Sequence, residues 1–167
     1  RIVDVHKAAF PEFFLTFLGQ AFLTRFYAAV VDDTACLSLV ADDRSSILGF
    51  VVGPLYPAGF FRRLLLRQGL GFATDAVPAI ARRPIYTARH LLRGLLYRGD
   101  APDARPETAL LSSIAVVPMA SGAGVAGALL EAFCRRAAEH GSQRVYLTTD
   151  RDANDAANRF YLKHGFF

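Results

Sequence analysis

The chain has 167 residues, of which 53% are hydrophobic, with a formal net charge of +4 and a mean hydropathy of +0.26. This length and composition predict one folded domain that buries roughly 70% of its unfolded surface around a substantial core. No apolar run reaches the roughly 20 residues that span a bilayer; no leader is visible, although a chain that opens on Arg1 leaves one open. The two cysteines, Cys36 and Cys134, match no metal spacing and read as buried, reduced thiols, in keeping with a cytoplasmic protein.

In chain order, Val5 to Phe10 and Phe13 to Val31 repeat apolar residues at helical spacing, with Pro11 between them and Asp32-Asp33 near the end. Cys36 to Ala41 and Ile47 to Val52 alternate like strands and are joined by the turn-prone Asp42-Asp43-Arg44-Ser45, which predicts a β-hairpin. From Ala58 to Arg98 eight arginines face one acid, Asp75, a local charge of +7 that leaves −3 on the rest of the chain. Apolar residues in this stretch recur at helical spacing while Gly69, Gly71, Pro78 and Pro84 interrupt, which predicts two or three short basic amphipathic helices. Four readings are open: a solvated arginine face over an ordinary core, a lid, a contact to an anionic ligand, or a membrane-surface patch. The aromatics look core-directed rather than interleaved for base stacking, which argues against nucleic acid.

Ala109 to Val117 is an apolar, β-branched run suited to a buried strand, and Val125 to His140 is helical in spacing. Between them lie Pro118-Met119-Ala120-Ser121-Gly122-Ala123-Gly124, a glycine-rich turn at a helix N-terminus. Unpaired amides and the helix dipole both favour negative charge there, and glycines let a phosphate approach where a Cβ would block it. A phosphate-bearing cofactor is one reading; a close packing turn without a ligand is the other. Gly122, Gly124 and Gly127 also fit G-x-G-x-x-G, with Asp150 after a later strand-like run. In a dinucleotide fold, however, the strand runs almost directly into the first glycine, whereas here Pro118 to Ser121 intervene and little chain follows Asp150. No Gly-Lys-Ser/Thr follows the turn, so a phosphate loop of that kind is excluded.

Asn154 to Phe166 predicts a short helix with Ala157, Phe160, Tyr161 and His164 on one face and Gly165 as its stop. Together the two segments resemble the GNAT acetyltransferase superfamily. Its acetyl-CoA signature, Gln/Arg-x-x-Gly-x-Gly/Ala, falls on Ser121, Gly122, Ala123, Gly124, Val125 and Ala126; its later Asn-x-x-Ala-x-x-x-Tyr-x-x-x-Gly-Phe falls on Asn154, Ala157, Tyr161, Gly165 and Phe166. Ser121 departs where Gln or Arg is usual, and Ala123 stands where another Arg is common, so the loop lacks cationic help for the pyrophosphate. The motif-bearing similarity covers roughly Leu110 to Phe166.

The resemblance implies an α/β fold with a mixed, mostly antiparallel central sheet, a splayed strand pair and flanking helices. It makes the hairpin the second and third strands, leaves Arg1 to Val3 as the only trace of the first, and makes Ala58 to Arg98 a helical insertion before the fourth. By the same token the chain is clipped at both ends of a single domain. The function implied is direct transfer of the acetyl group of acetyl-CoA to a primary amine, with no metal. The acceptor, whether small amine, amino sugar or protein N-terminus, carries no motif. Tyr161 would protonate the leaving thiolate, a role that suits a phenol with a pKa of about 10; a plain core tyrosine is the alternative. Asn154 would contact the cofactor arm or simply cap its helix. Ile114, Ala115 and Val116 would offer backbone groups to the pantetheine as to an added strand. The base that deprotonates the amine would come from Glu107, Asp150 or His6, with Glu107 favoured. Ser112 and Ser113 lack a His-Asp arrangement for acyl-enzyme chemistry. A catalytically silent module that binds acyl-CoA and regulates a partner is the alternative of a different class.

Overall fold

The computed structural model describes residues 1–87, 89, 107–149 and 154–167. Three helices open the chain: α1 (Ile2–Ala9), α2 (Phe14–Leu18) and α3 (Gln20–Val31). The expected remnant of a first strand at Arg1 to Val3 is therefore helical from Ile2 onward, with Val3 and His6 buried one turn apart and Val5 buried between them. The single helix expected over Phe13 to Val31 divides at Gly19, whose φ of +99° suits glycine and breaks the helical hydrogen-bond ladder.

The hairpin forms as β1 (Cys36–Asp42) and β2 (Ile47–Pro54), antiparallel, with Leu39 opposite Val51. In its turn Asp43 Oδ1 accepts hydrogen bonds from the hydroxyl of Ser45 and from the backbone N–H groups of Ser45 and Ser46. These bonds, led by the Ser45 hydroxyl, hold the carboxyl down at about 2.

The arginine-rich segment departs most from expectation. Instead of short pieces, Phe60–Arg82 is one 23-residue helix, α4, that runs through Gly69, Gly71 and Pro78. Gly71 has a packing reason: a Cβ there would collide with the Arg25 guanidinium, which lies against the helix and pairs with Asp75 one turn on, Nε to Oδ2 at 2.7 Å. Beyond the break at Arg83, buried Thr87 donates its hydroxyl to the carbonyls of Ala79 and Arg83 and so satisfies the end of α4.

The expected single strand over Ala109 to Val117 is two. Strand β3 (Thr108–Leu110) pairs in parallel with β5 (Arg144–Tyr146), while β4 (Ser113–Val116) pairs antiparallel with β2. The switch happens at Leu111 and Ser112: the Leu111 N–H goes to the Tyr146 carbonyl and the Ser112 N–H to that of Val52. After a 3-10 turn (Pro118–Ala120), α5 (Val125–Glu139) crosses back to β5, and α6 (Asp155–Lys163) follows.

Alternation along the central strands sets the layers. Phe50, Val52 and Ala115 point to α1, α3 and α4 with Phe22, Leu23, Tyr27, Phe60 and Phe72. Val51, Ile114 and Val116 point the other way, to Leu129, Leu130 and Phe133 of α5 and to Phe160 and Tyr161 of α6. Each large side chain so buried contributes about 1.5–3 kcal/mol. Cys36 and Cys134 are half-buried free thiols rather than fully buried ones; burial pushes Cys36 up to about 12 and Cys134 in the same direction, so both stay protonated.

Candidate functional site

The change of partner at Leu111–Ser112 opens a groove. Among the described residues strand β4 is the edge of its three-stranded sheet, with β2 on one side; on the other, Leu147, Thr148 and Thr149 diverge after β5 ends. The cavity between them, about 640 Å³, is lined by Ser112, Ser113 and Ile114 on one wall and by Leu147 to Thr149, Asn154 and Tyr161 on the other. Phe10 and Phe13, from the α1–α2 connection, also line it.

Helix α6 supplies two of those groups. Asn154 sits at its N-cap but makes no side-chain cap; instead its Nδ2 donates to Thr149 Oγ1 at 2.6 Å and ties the helix to the groove wall. At the other end Gly165 adopts φ +85°, the Phe166 N–H returns to the Tyr161 carbonyl at 3.1 Å, and the Phe166 ring packs edge-on against Tyr161. Phe160 holds Tyr161 from the other side. Burial raises the Tyr161 phenol pKa, so the group stays protonated.

A second cavity, about 300 Å³, lies where α5 begins, lined by Val116, Ser121, Gly122, Gly124, Val125 and Ala126 on one side. Gly122 and Gly124 have φ of +80° and +82°, and a Cβ on either would stand in open space rather than against protein. Gly124 is the N-cap of α5 and offers no side-chain cap, so the first amides of the helix lack an intrahelical partner. The cradle fits a phosphate group. Its far side is α6, with Phe160, Lys163 and His164. The His164 Nδ1 lies 2.8 Å from the Phe160 carbonyl, and a Cβ on Gly127 would come within 3.2 Å of its Nε2. Lys163 thus brings to the cavity the cation that Ser121 and Ala123 do not.

The three candidate bases fare differently. Glu107 is exposed, one residue before β3, its carbonyl taken by the Gln143 and Arg144 N–H groups. It stands four residues, roughly 13 Å of extended strand, from Leu111, and is not among the described residues lining either cavity. Asp150 lies outside the described residues. His6 is fully buried: its Nδ1 is 2.7 Å from the Tyr27 hydroxyl and its Nε2 has no partner among the described residues. Tyr27 also hydrogen-bonds Ser113, so the His6 Nδ1 is linked to the groove through this chain, while its ring packs against the lining residues Phe10 and Phe13. Burial pushes the His6 pKa down to about 4.

That burial predicts a pH dependence of stability. Unfolded histidine binds its proton near pH 6.5 and folded His6 near 4, so between these values the unfolded state holds more protons. Stability is full above about pH 6.5 and falls as pH drops toward 4, by on the order of 3 kcal/mol. Denaturant melts at pH 7 and 4.5 check this; a flat profile in wild type, or an equal slope in His6→Phe, contradicts it.

The match to the family model described as "Acetyltransferase (GNAT) family" extends over residues 2–166. The chain belongs to the GNAT acetyltransferase family. It is 39% identical over 89 residues to uncharacterized N-acetyltransferases of Mycobacterium tuberculosis and Mycobacterium bovis, an alignment covering 51% of this chain and 53% of theirs; the matched part thus spans about half the length of these relatives. Among solved structures, the aminoglycoside acetyltransferase AAC(6')-Iy with a CoA bisubstrate analog superposes with TM-score 0.63 at 14% identity, over 98% of this chain and 80% of that one. A transcriptional regulator from Bacillus halodurans superposes with TM-score 0.54 at 20% identity, over 89% and 71%. These likenesses bear on the fold, which is of the expected α/β kind: an antiparallel three-stranded sheet splayed beside a separate parallel strand pair, with flanking helices.

Within that fold, Ser121, Gly122, Gly124, Val125 and Ala126 come together at one cavity, where Ala123 is not among the lining residues, and Ile114, Asn154 and Tyr161 at the other, with Val116 on the first and Ala115 turned into the core. The sequence reading did not single out Phe10, Phe13 and Lys163 as lining residues. For Lys163 a signal exists, since Phe160, Lys163 and His164 form an i, i+3, i+4 stripe beside Tyr161; for Phe10 and Phe13 none does, because nothing local tells a groove aromatic from a core one.

Proposed function

We propose that the chain is an N-acetyltransferase that moves the acetyl group of acetyl-CoA directly to a primary amine. The observation that carries this reading is that α6 borders both cavities, placing Tyr161 in the groove and Lys163 beside the glycine cradle. The cradle, with amides of the first turn of α5 and Lys163, holds the pyrophosphate; the free edge of β4 at Ile114 to Val116 takes the pantetheine amides as an extra strand would. The thioester then lies in the splayed groove under Tyr161.

The amine nitrogen attacks the thioester carbonyl, forming a C–N bond and an oxyanion; collapse breaks the C–S bond, and the sulfur takes a proton as it leaves. Burial keeps the Tyr161 phenol protonated, so it can donate to that sulfur. Neither Glu107 nor His6 reaches the groove directly, and the amine's proton leaves through water or a polar group of the groove wall. The small-molecule reading of the acceptor is supported by the aminoglycoside acetyltransferases among the solved structures that share this fold.

Tyr161→Phe is expected to slow thiol release by about 10²-fold while the acetyl-CoA Kd changes less than about three-fold. Wild-type turnover in this variant would remove the proton-donor role; a large loss of affinity with unchanged kcat would reassign Tyr161 to binding.

A further inference from the structure

Helix α4 has two apolar faces. One is the core face, with Phe60, Leu64, Phe72, Ala76 and Ala79 buried. The other runs along the outside: Leu66 is 74% exposed, Leu70 89% and Val77 56%. Successive steps of four and seven residues keep these three within about 40° of one line, on the side opposite the core residues. A stripe of leucine and valine pointing away from the protein over roughly 16 Å is not what a solvated helix presents.

Its flanks are basic. Arg62, Arg63 and Arg67 border the stripe at its N-terminal end, and Arg82 closes the helix. Their heads are only lightly engaged: Arg63 donates to the Ala58 carbonyl, and Arg67 lies 3.9 Å from Asp33 with three-quarters of its side chain exposed. The one acid of the helix, Asp75, is held on the inner side by Arg25. An exposed apolar line with a cationic margin and no free acid complements a surface that is apolar beneath and anionic above.

We propose that the outer face of α4 docks the protein on an anionic membrane surface, with Leu66, Leu70 and Val77 entering the headgroup boundary and Arg62, Arg63 and Arg67 meeting lipid phosphates. The helix lies in the interface rather than across it, since no helix among the described residues is long and apolar enough to span a bilayer. Arginine suits the margin because its stem covers apolar surface while its head reaches phosphate. A second copy paired in parallel would set Arg62, Arg63 and Arg67 against their equivalents, and an antiparallel copy would leave both arginine clusters without an anionic partner.

The chain contains no tryptophan, so Leu70→Trp gives a single reporter at the centre of the stripe. Vesicles of phosphatidylcholine with about 30 mol% phosphatidylserine should shift its emission to the blue, and brominated lipid should quench it; pure phosphatidylcholine should bind at least about ten-fold more weakly. Each arginine near such a surface contributes about five-fold to affinity, so Arg62→Glu/Arg63→Glu/Arg67→Glu should reduce cosedimentation of the otherwise wild-type chain by more than about 100-fold. Leu66→Ser/Leu70→Ser should reduce it as well, with an unchanged Tm. Three results overturn the proposal: reporter emission unmoved by anionic vesicles, cosedimentation that survives both the arginine and the leucine changes, or a dimer in solution that Leu66→Ser/Leu70→Ser dissolves. None of these readouts depends on acetyl transfer, so the docking face and the catalytic reading stand or fall separately.

Discussion

Gly124→Glu is expected to weaken acetyl-CoA binding by at least about 10³-fold, some 4 kcal/mol, while the chain still folds. The fold survives because a side chain at this position meets nothing within 4 Å, and its cost is the left-handed backbone at φ +82°, about 1–2 kcal/mol for a residue other than glycine. Binding fails because the new carboxylate enters the cavity at the start of α5. There it takes the unpaired amides for itself and repels the phosphates that would use them. Gly124→Ala, which adds bulk without charge, should lose only about ten-fold. Calorimetry on both variants checks the pair, and an unchanged Kd in folded Gly124→Glu removes the cradle from the account.

Gly53→Ala is expected to destabilise the fold by about 3 kcal/mol or more, lowering Tm by roughly 6–12 °C. A Cβ at Gly53 would overlap the Leu110 carbonyl oxygen and stand 2.9 Å from Phe133 Cζ. Backbone on one side and a fully buried ring on the other leave nothing flexible to yield. The position also matters for the groove, because the chain presses against β2 here just before it exchanges β5 for β2 at Leu111–Ser112. Gly69→Ala, in an exposed part of α4 with open space around it, is the control and should stabilise by up to about 1 kcal/mol. Thermal melts that rank the two variants the other way contradict this description of the strand crossing.

Much of this was legible in the sequence, for identifiable reasons. The hairpin, α5 and α6 each carry a local signal: alternation flanking Asp-rich turn chemistry, apolar spacing after a glycine pair, and a helix stopped by Gly165. The glycine turn before α5 and the place of Tyr161 on α6 were legible because each depends on backbone shape or helical spacing within a short segment. What escaped depends on contacts distant in sequence. The strand over Ala109 to Val117 reads as one because the residues that divide it, Gly53 and Tyr146, lie far away in sequence. Gly71 reads as a helix breaker, and only Arg25, lying against it, shows why glycine belongs there. His6 was a reasonable base on residue type alone; its burial against Tyr27 decides otherwise. Glu107 was placed at the right strand but at its far end from the groove.

In the proposed reaction the glycine cradle and the splayed groove together carry out acetyl transfer to an amine. This is tested most directly by incubating the wild-type chain with acetyl-CoA and each of 2-phenylethylamine, glucosamine and an alanyl peptide, and measuring free thiol and acetylated amine in the same sample. Equal amounts of the two products are expected with at least one amine, both suppressed by Gly124→Glu and both slowed by Tyr161→Phe. Acetyl-CoA bound without either product, or thiol released with no acetylated amine, would contradict the proposed reaction.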